Sequence, residues 1–267
     1  MPQTPKTRDV SSPVVVQPTT GGDRLRVEIA GTPLWLLSDK AAWCEASSTV
    51  FIADLHLGKA STMRAGMLPV APGVCRAAAE QDLSRIVRLL SQTNASNLVI
   101  LGDLIHARQG RDEALLTLVR AWRDSSEIAP IEITLVRGNH DRSSGDPPSD
   151  WRIRCVDEGE ALPIPGSSAS WSLWHVPPIN QRGVERFLAG HVHPVFNLRR
   201  GGISAGRSPC FHVFDSQITQ RSTGLIVPAF GSLTGGAQVP SGWSERCERV
   251  VLCAEGRLIE LPRAADA

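Results

Sequence analysis

Three short apolar runs, residues 49–53, 97–101 and 131–136, each give way within two residues to a glycine or a carboxylate, and the stretches between them carry apolar residues at helical spacing. Leu83, Ile86, Val87 and Leu90, then Leu115, Leu118, Val119 and Trp122, sit at i, i+3, i+4 and i+7, which predicts a buried stripe on each of two helices. The order is therefore β-α-β-α-β. Strands joined by helices of this length favour parallel pairing and right-handed crossovers. Their carboxyl ends then share one edge of a sheet, where ligand sites form in open α/β folds.

The flanks are predominantly β. Residues 24–30 and 33–38 read as a hairpin, and past residue 150 short strand-like runs recur at 151–155, 171–175, 186–189, 195–198, 210–214, 225–227, 249–253 and 257–261. Gly, Pro and Ser break them at 163–170 and 201–208, and 143–150 reads as an exposed loop. The expected fold class is α/β, with two mixed β-sheets packed as a sandwich and flanked by helices. With 267 residues and 42% hydrophobic content, one large core is expected over residues 23–267. Residues 1–22, rich in Pro, Thr and Ser, are expected to form a disordered arm.

The 28 basic and 27 acidic residues nearly cancel, so net charge makes no case for a nucleic-acid partner. No apolar run is long enough to span a bilayer, and the first residues lack a secretory pattern, so no membrane association and a cytoplasmic location are expected. Cys44, Cys75, Cys155, Cys210, Cys247 and Cys253 form no C-x-x-C pair and read as reduced thiols.

Four segments carry the chemistry: A-D-L-H at 53–56, G-D at 102–103, G-N-H-D at 138–141 and G-H-V-H at 190–193, with His175 at the end of a further strand. Carboxylate, imidazole and amide oxygen are ligands for hard or borderline divalent cations, and no thiol takes part. Alternation along an extended chain is expected to put Asp54 and His56 on one side, and His191 and His193 likewise, with Asp103 placed to bridge two ions. Ions about 3.5–4 Å apart can hold a phosphoryl group and activate a water. His140, beside Asn139, is positioned to approach a phosphate without being a ligand, and Asp141 to orient its neighbours.

In this order the segments resemble the calcineurin-like metallophosphoesterase superfamily. That resemblance implies one metal on Asp54, His56, Asp103 and His193, a second on Asp103, Asn139, His175 and His191, and His140 as the catalytic imidazole. It implies manganese as the metal, with iron, zinc or magnesium as alternatives. Protein Ser/Thr phosphatases carry Asp where this chain has His106, followed by Arg-Gly where it has Ala107 and Arg108, which argues against that branch. The longer strings at 53–59 (ADLHLGK), 102–107 (GDLIHA), 189–194 (AGHVHP) and 228–236 (PAFGSLTGG) are similar to the ligase-associated DNA damage response endonucleases. The narrower resemblance implies a DNA endonuclease or phosphodiesterase of bacterial repair, working beside a DNA ligase, a helicase and an exonuclease. Members of that group carry Glu after the isolated histidine, where this chain has Val176.

Weaker candidates are Lys59 and His106 for substrate binding, with Arg64 beside them. His212 reads as structural. Arg182, Arg186, Arg199, Arg200 and Arg207 surround the G-H-V-H segment and would bind a nucleic-acid backbone if they shared a face. The tryptophans read as core. Two other functions fit the same residues: a phosphatase or pyrophosphohydrolase for a small nucleotide or lipid precursor, and a metal-binding scaffold for repair partners.

Overall fold

The computed structural model describes residues 19–20, 22–67, 71–167, 170–179, 181–200, 203–215, 222–239, 247 and 249–261. The first strands are Thr19–Thr20 (β1), Arg24–Ile29 (β2), Thr32–Leu37 (β3), Ala41–Cys44 (β4), Thr49–Ile52 (β5), Asn97–Ile100 (β6), Glu132–Val136 (β7) and Ile153–Val156 (β8). They continue as Glu160–Leu162 (β9), Trp171–Leu173 (β10), Arg186–Ala189 (β11), Val195–Arg200 (β12), Ile203–Phe214 (β13), Thr223–Ile226 (β14), Arg249–Ala254 (β15) and Arg257–Leu261 (β16). Helices are Lys59–Ala65 (α1), Pro72–Thr93 (α2), Glu113–Arg123 (α3) and Asn139–Ser144 (α4).

One sheet runs β2-β3-β4-β5-β6-β7-β8, antiparallel as far as β5 and parallel from β5 to β8. The other runs β1-β16-β15-β13-β14-β11-β10-β9, with β12 on β13, and holds a parallel trio β10-β11-β14 among antiparallel neighbours. Both sheets are therefore mixed.

Period-2 alternation explains the layering. Val50, Ile52, Leu98, Ile100, Ile133 and Leu135 face α2 and α3, whereas Phe51, Ala53, Val99, Leu101 and Val136 face the second sheet. On α2, Leu83, Ile86 and Leu90 are buried as the spacing predicts, joined by Leu89, while Val87 is only partly covered. Pro72 starts α2, where a missing N–H costs nothing, and Asn94 ends it in the left-handed conformation. Asp112 caps α3 by accepting a hydrogen bond from the Leu115 N–H at 2.9 Å. Arg123 is buried at the end of α3 because its guanidinium donates to the carbonyls of Ile128, Ala129, Ile131 and Trp151.

Several expectations change. The two long helices cover the first sheet only; a small cluster of Ile179, Phe187, Ala189, Phe214 and Ile226 covers the outer side of the second. Residues 203–208, read as a break, belong to β13, since the long hairpin with β12 satisfies their backbone groups. Ser143 and Ser144 close α4, and Ser149–Trp151 is a 3-10 turn, so 143–150 is not a continuous loop. Thr19–Thr20, within the expected arm, pairs with Ile259 and Glu260; residues 1–18 and 21 lie outside the described residues. Cys44, Cys75, Cys155, Cys210 and Cys253 are free thiols. Among the described residues no helix is long and apolar enough to cross a membrane.

Candidate metal centre

Each sheet brings three parallel strand ends to one place. Asp54, Asp103 and Asn139 follow β5, β6 and β7, and His175 and His191 follow β10 and β11. A parallel bridge between Ala53 and Ala229 joins the end of β5 to the segment after β14, with the Phe230 N–H donating to the Ala53 carbonyl at 2.8 Å. The two sheets are thus fastened at the edge where the polar residues collect.

The local backbone differs from the extended geometry expected. Asp54 and His56 have φ of 53° and 49°, His191 and His193 of 70° and 47°, and Asp103 of 56°. The chain leaves each strand through left-handed turns, a conformation costing roughly 1–3 kcal/mol at a non-glycine residue. Long-range hydrogen bonds hold it there: Asp54 N–H to the Gly102 carbonyl (3.1 Å), His56 N–H to the Asp103 carbonyl (2.9 Å) and His191 N–H to Asp54 Oδ2 (2.9 Å). Gly102, at φ 88°, lies so close to His175 that a Cβ would sit 2.1 Å from Nδ1.

The side chains form two adjoining groups, Asp54/His56/His193 and Asp103/His175/His191. The His193 Nδ1–H donates to the Gly235 carbonyl at 3.1 Å, and its Nε2 lies 3.1 Å from Asp54 Oδ1. That fully buried carboxylate oxygen has no hydrogen-bond partner. The His175 Nδ1–H donates to the Leu101 carbonyl at 2.9 Å, and its Nε2 meets His191 Nδ1 at 2.9 Å, Asn139 Oδ1 at 3.0 Å and Asp103 Oδ1 at 3.4 Å. Acceptors facing acceptors in a buried site are satisfied by cations. The residues therefore fit divalent metal ions, and Asp103 connects the groups, its Oδ2 lying 3.6 Å from His56 Nε2.

Burial shapes the protonation states. It pushes the His56 imidazole down to about 2, with repulsion from His193, His140 and His106 adding to the effect, so the ring is neutral and can ligate. Burial likewise raises the Asp103 carboxyl to about 6, against the opposing pull of His175. A bound cation favours the ionised carboxylate and the neutral ring together.

A surrounding layer orients these groups. Asp141 accepts from the N–H groups of Asp103 (2.7 Å), Gly138 (2.9 Å) and Leu104 (3.0 Å), fixing the turn that presents Asp103. The His140 N–H donates to Asp103 Oδ1 at 2.9 Å, and its ring Nδ1 bonds the His106 carbonyl, which leaves Nε2 toward the site, 3.9 Å from Asp103 Oδ2. His106 stacks on His140 with ring centroids 4.8 Å apart and meets His56 Nδ1 with its own Nδ1 at 3.0 Å. Burial, then repulsion from His140, lowers the His106 ring to about 4. Lys59 stands at the start of α1, near enough that its charge acts on both His56 and His106.

Two contributors were not singled out from sequence. Glu158 Oε1 accepts from the N–H groups of His175 (3.1 Å) and Val176 (2.7 Å), so an acid steadies this turn from the β8–β9 connection although Val176 is not one. Asp82 on α2 accepts from the Ser232 N–H (2.9 Å) and from Arg85 (3.0 Å), anchoring the loop that carries Gly235. The 228–236 string and the buried aspartate inside an otherwise apolar helical stripe were the available signals.

The remaining candidates lie apart. His212 is buried in β13 with Nδ1 unpaired. Arg186 donates to the Ala30 carbonyl and Arg207 to the Gly236 carbonyl, so these two are engaged separately. The side chains of Arg199 and Arg200, and Trp243, are outside the described residues. Trp151 and Trp171 are fully buried, while Trp35 and Trp43 stack at 6.3 Å beside the core.

The family model described as calcineurin-like phosphoesterase matches residues 47–202. The nuclease MPE of Pseudomonas putida is 36% identical, covering 89% of this chain and 100% of that one, with a TM-score of 0.68. The phosphoesterase Yfce of E. coli is 17% identical over 78% of this chain and 88% of that one, at a TM-score of 0.34. The search of curated proteins found no match.

Proposed function

The chain belongs to the calcineurin-like phosphoesterase family, metal-dependent hydrolases of phosphate esters, and from this premise we propose a phosphodiesterase that cleaves DNA. The observation that carries the reading is Asp103, a buried carboxylate with one oxygen on each ligand group. The similarity to a nuclease along that protein's whole length supports nucleic acid as the substrate class.

In this reading Asp54, His56, Asp103 and His193 hold one divalent ion, and Asp103, Asn139, His175 and His191 the other. Manganese is our choice from the family resemblance; the imidazole, carboxylate and amide donors admit iron, zinc and magnesium as the comparisons. Two ions held there would supply positive charge for the phosphoryl oxygens and would lower the pKa of a bound water toward neutrality. His140, held through Nδ1 on the His106 carbonyl, presents Nε2 to the departing oxygen and supplies its proton. Asp141 and Glu158 keep the turns carrying Asp103 and His175 from relaxing. Lys59, at the start of α1, and His106, stacked on His140, are the candidate contacts for a substrate phosphate. Repair, beside a ligase, a helicase and an exonuclease, is the setting suggested by the strings at 53–59, 102–107, 189–194 and 228–236.

The test is hydrolysis of bis-p-nitrophenyl phosphate, p-nitrophenyl phosphate and single- and double-stranded DNA by metal-stripped protein with each metal added back. We expect diester and DNA cleavage with manganese. Turnover of monoesters alone would move the assignment to a small-molecule phosphatase, and no turnover on any substrate would favour a scaffold.

A further inference from the structure

A cavity of about 260 Å³ opens between the last turns of α2 and the β2–β4 side of the first sheet. Its volume lies just under the roughly 300–1,000 Å³ of small-ligand sites and well above the 20 and 120 Å³ of the two cavities beside α1. It is also distant from the metal centre. Cys75 and Ala79 of α2 border the small cavity at His56, whereas Leu89 and Gln92 border this one, and the thirteen-residue step from Ala79 to Gln92 is roughly 20 Å of helix.

The lining selects the ligand. Leu37 and Leu89 are buried and Trp43 is half-buried, so the inner surface is apolar with one indole. Trp43 is stacked with Trp35 at 6.3 Å, and the Arg24 guanidinium lies over the Trp35 ring, 5.6 Å from its centroid. Among the described residues Arg24 has no ion-pair partner, and a cation steadied by an aromatic face rather than by a carboxylate keeps its N–H donors for an anion. The Asp39 carboxylate is already taken up by Arg88 at 2.9 Å and Arg85 at 3.6 Å. The side chains of Asp23, Ser38 and Gln92 have no hydrogen-bond partner among the described residues, so acceptors and donors both remain at the rim. A planar ring suits the indole, an edge bearing donors and acceptors suits the rim, and an attached anion suits Arg24. An acidic peptide would leave the apolar surface uncovered, and a neutral sugar would leave Arg24 without a counter-charge.

We propose that this cavity is a second binding site, apart from the metal centre, for one nucleoside monophosphate unit: the base lies against Trp43, Leu37 and Leu89, and the phosphate is met by Arg24. The unit is either a free nucleotide or one nucleotide of a longer strand, since both present the same base and phosphate. The inference stands on the residues of the cavity and does not require the metal centre to cleave DNA.

The experiment is calorimetric titration of the full chain, with and without manganese, by the four deoxynucleoside 5′-monophosphates, by a deoxynucleotide 12-mer, and by deoxyadenosine and deoxyribose 5-phosphate as the halves of the ligand. Arg24→Gln and Trp43→Leu proteins of matched thermal stability are compared with Arg26→Gln, which changes the next outward cation of β2, opposite Trp35 and outside the cavity. The expected result is one site that persists without manganese and is weakened at least about fivefold by Arg24→Gln and by Trp43→Leu, with Arg26→Gln unchanged. Binding of the mononucleotides identifies the free ligand; binding of the 12-mer alone, lost in the same two variants, identifies a unit of a strand. No binding of either, affinity unchanged in both cavity variants, an equal loss in Arg26→Gln, or binding that vanishes with manganese would overturn the site. Deoxyadenosine or deoxyribose 5-phosphate binding as tightly as a nucleotide would overturn it as well.

Discussion

The two sheets reach the metal centre by different means. In the first, β5, β6 and β7 are parallel neighbours connected by segments containing α2 and α3, and each crossover writes a 3.6-residue apolar period into the chain. In the second, β10, β11 and β14 are also parallel, but loops and the β12–β13 hairpin connect them and leave no such period. The proposed ligands in the two halves depend on one another all the same: Asp54 from the first sheet accepts from the His191 N–H of the second, and the Leu101 carbonyl accepts from the His175 ring. One half is organised by local pattern and the other by contact with the first.

Removing the group shared by both halves should have the largest effect. Asp103→Ala is expected to lower manganese-dependent diester hydrolysis by at least about 10³-fold, on the scale of losing a principal transition-state contact. Near-normal turnover would break the idea that one carboxylate serves both ligand groups. Gly102→Ala attacks the junction itself, since the added methyl meets His175 and the residue has φ 88°. We expect a loss of about 2–4 kcal/mol in urea unfolding, together with weaker manganese binding by calorimetry. A loss of stability without any change in metal binding would mean that His175 can move aside and still ligate.

Asp82→Ala sharpens the comparison from outside the ligand set. The loop that supports His193 through Gly235 would lose its anchor at Ser232, and manganese affinity is expected to fall roughly tenfold. Unaltered affinity would show that the Ala53–Ala229 bridge alone suffices. The smallest effect belongs to His212, remote from the metal and lowered to about 4 by burial. Its folded pKa lies below the unfolded value of about 6.5, so the unfolded chain takes up its proton first and stability falls as pH drops through that window. Metal-free His212→Leu protein should therefore lose less stability between pH 7 and 4.5 than the parent, by about 1–3 kcal/mol in urea unfolding. Equal losses would mean that this imidazole opens to solvent in the folded protein.

Much of the first sheet was legible in the chain, because Leu83, Ile86 and Leu90, or Leu115 and Val119, must share a helix face whatever surrounds them. The mainly β character of the second half was legible too, but residues 203–208 looked like a break: Gly and Ser are poor strand formers, and only pairing with β12 holds them extended. β4 and β9 were missed for a related reason, being short runs whose backbone groups are satisfied by neighbours.

The sequence by itself determined the donor chemistry and the order of the ligand segments, since residue type and strand-end position are properties of short stretches of chain. Tertiary structure decided the shape of the site. The left-handed turns at Asp54, His56, Asp103, His191 and His193 are unfavourable locally and are held by hydrogen bonds to residues far along the chain. Glu158 and Asp82 became part of the site in the same way, because a carboxylate's role depends on which N–H groups the fold places before it, and those donors are 17 and 150 residues away.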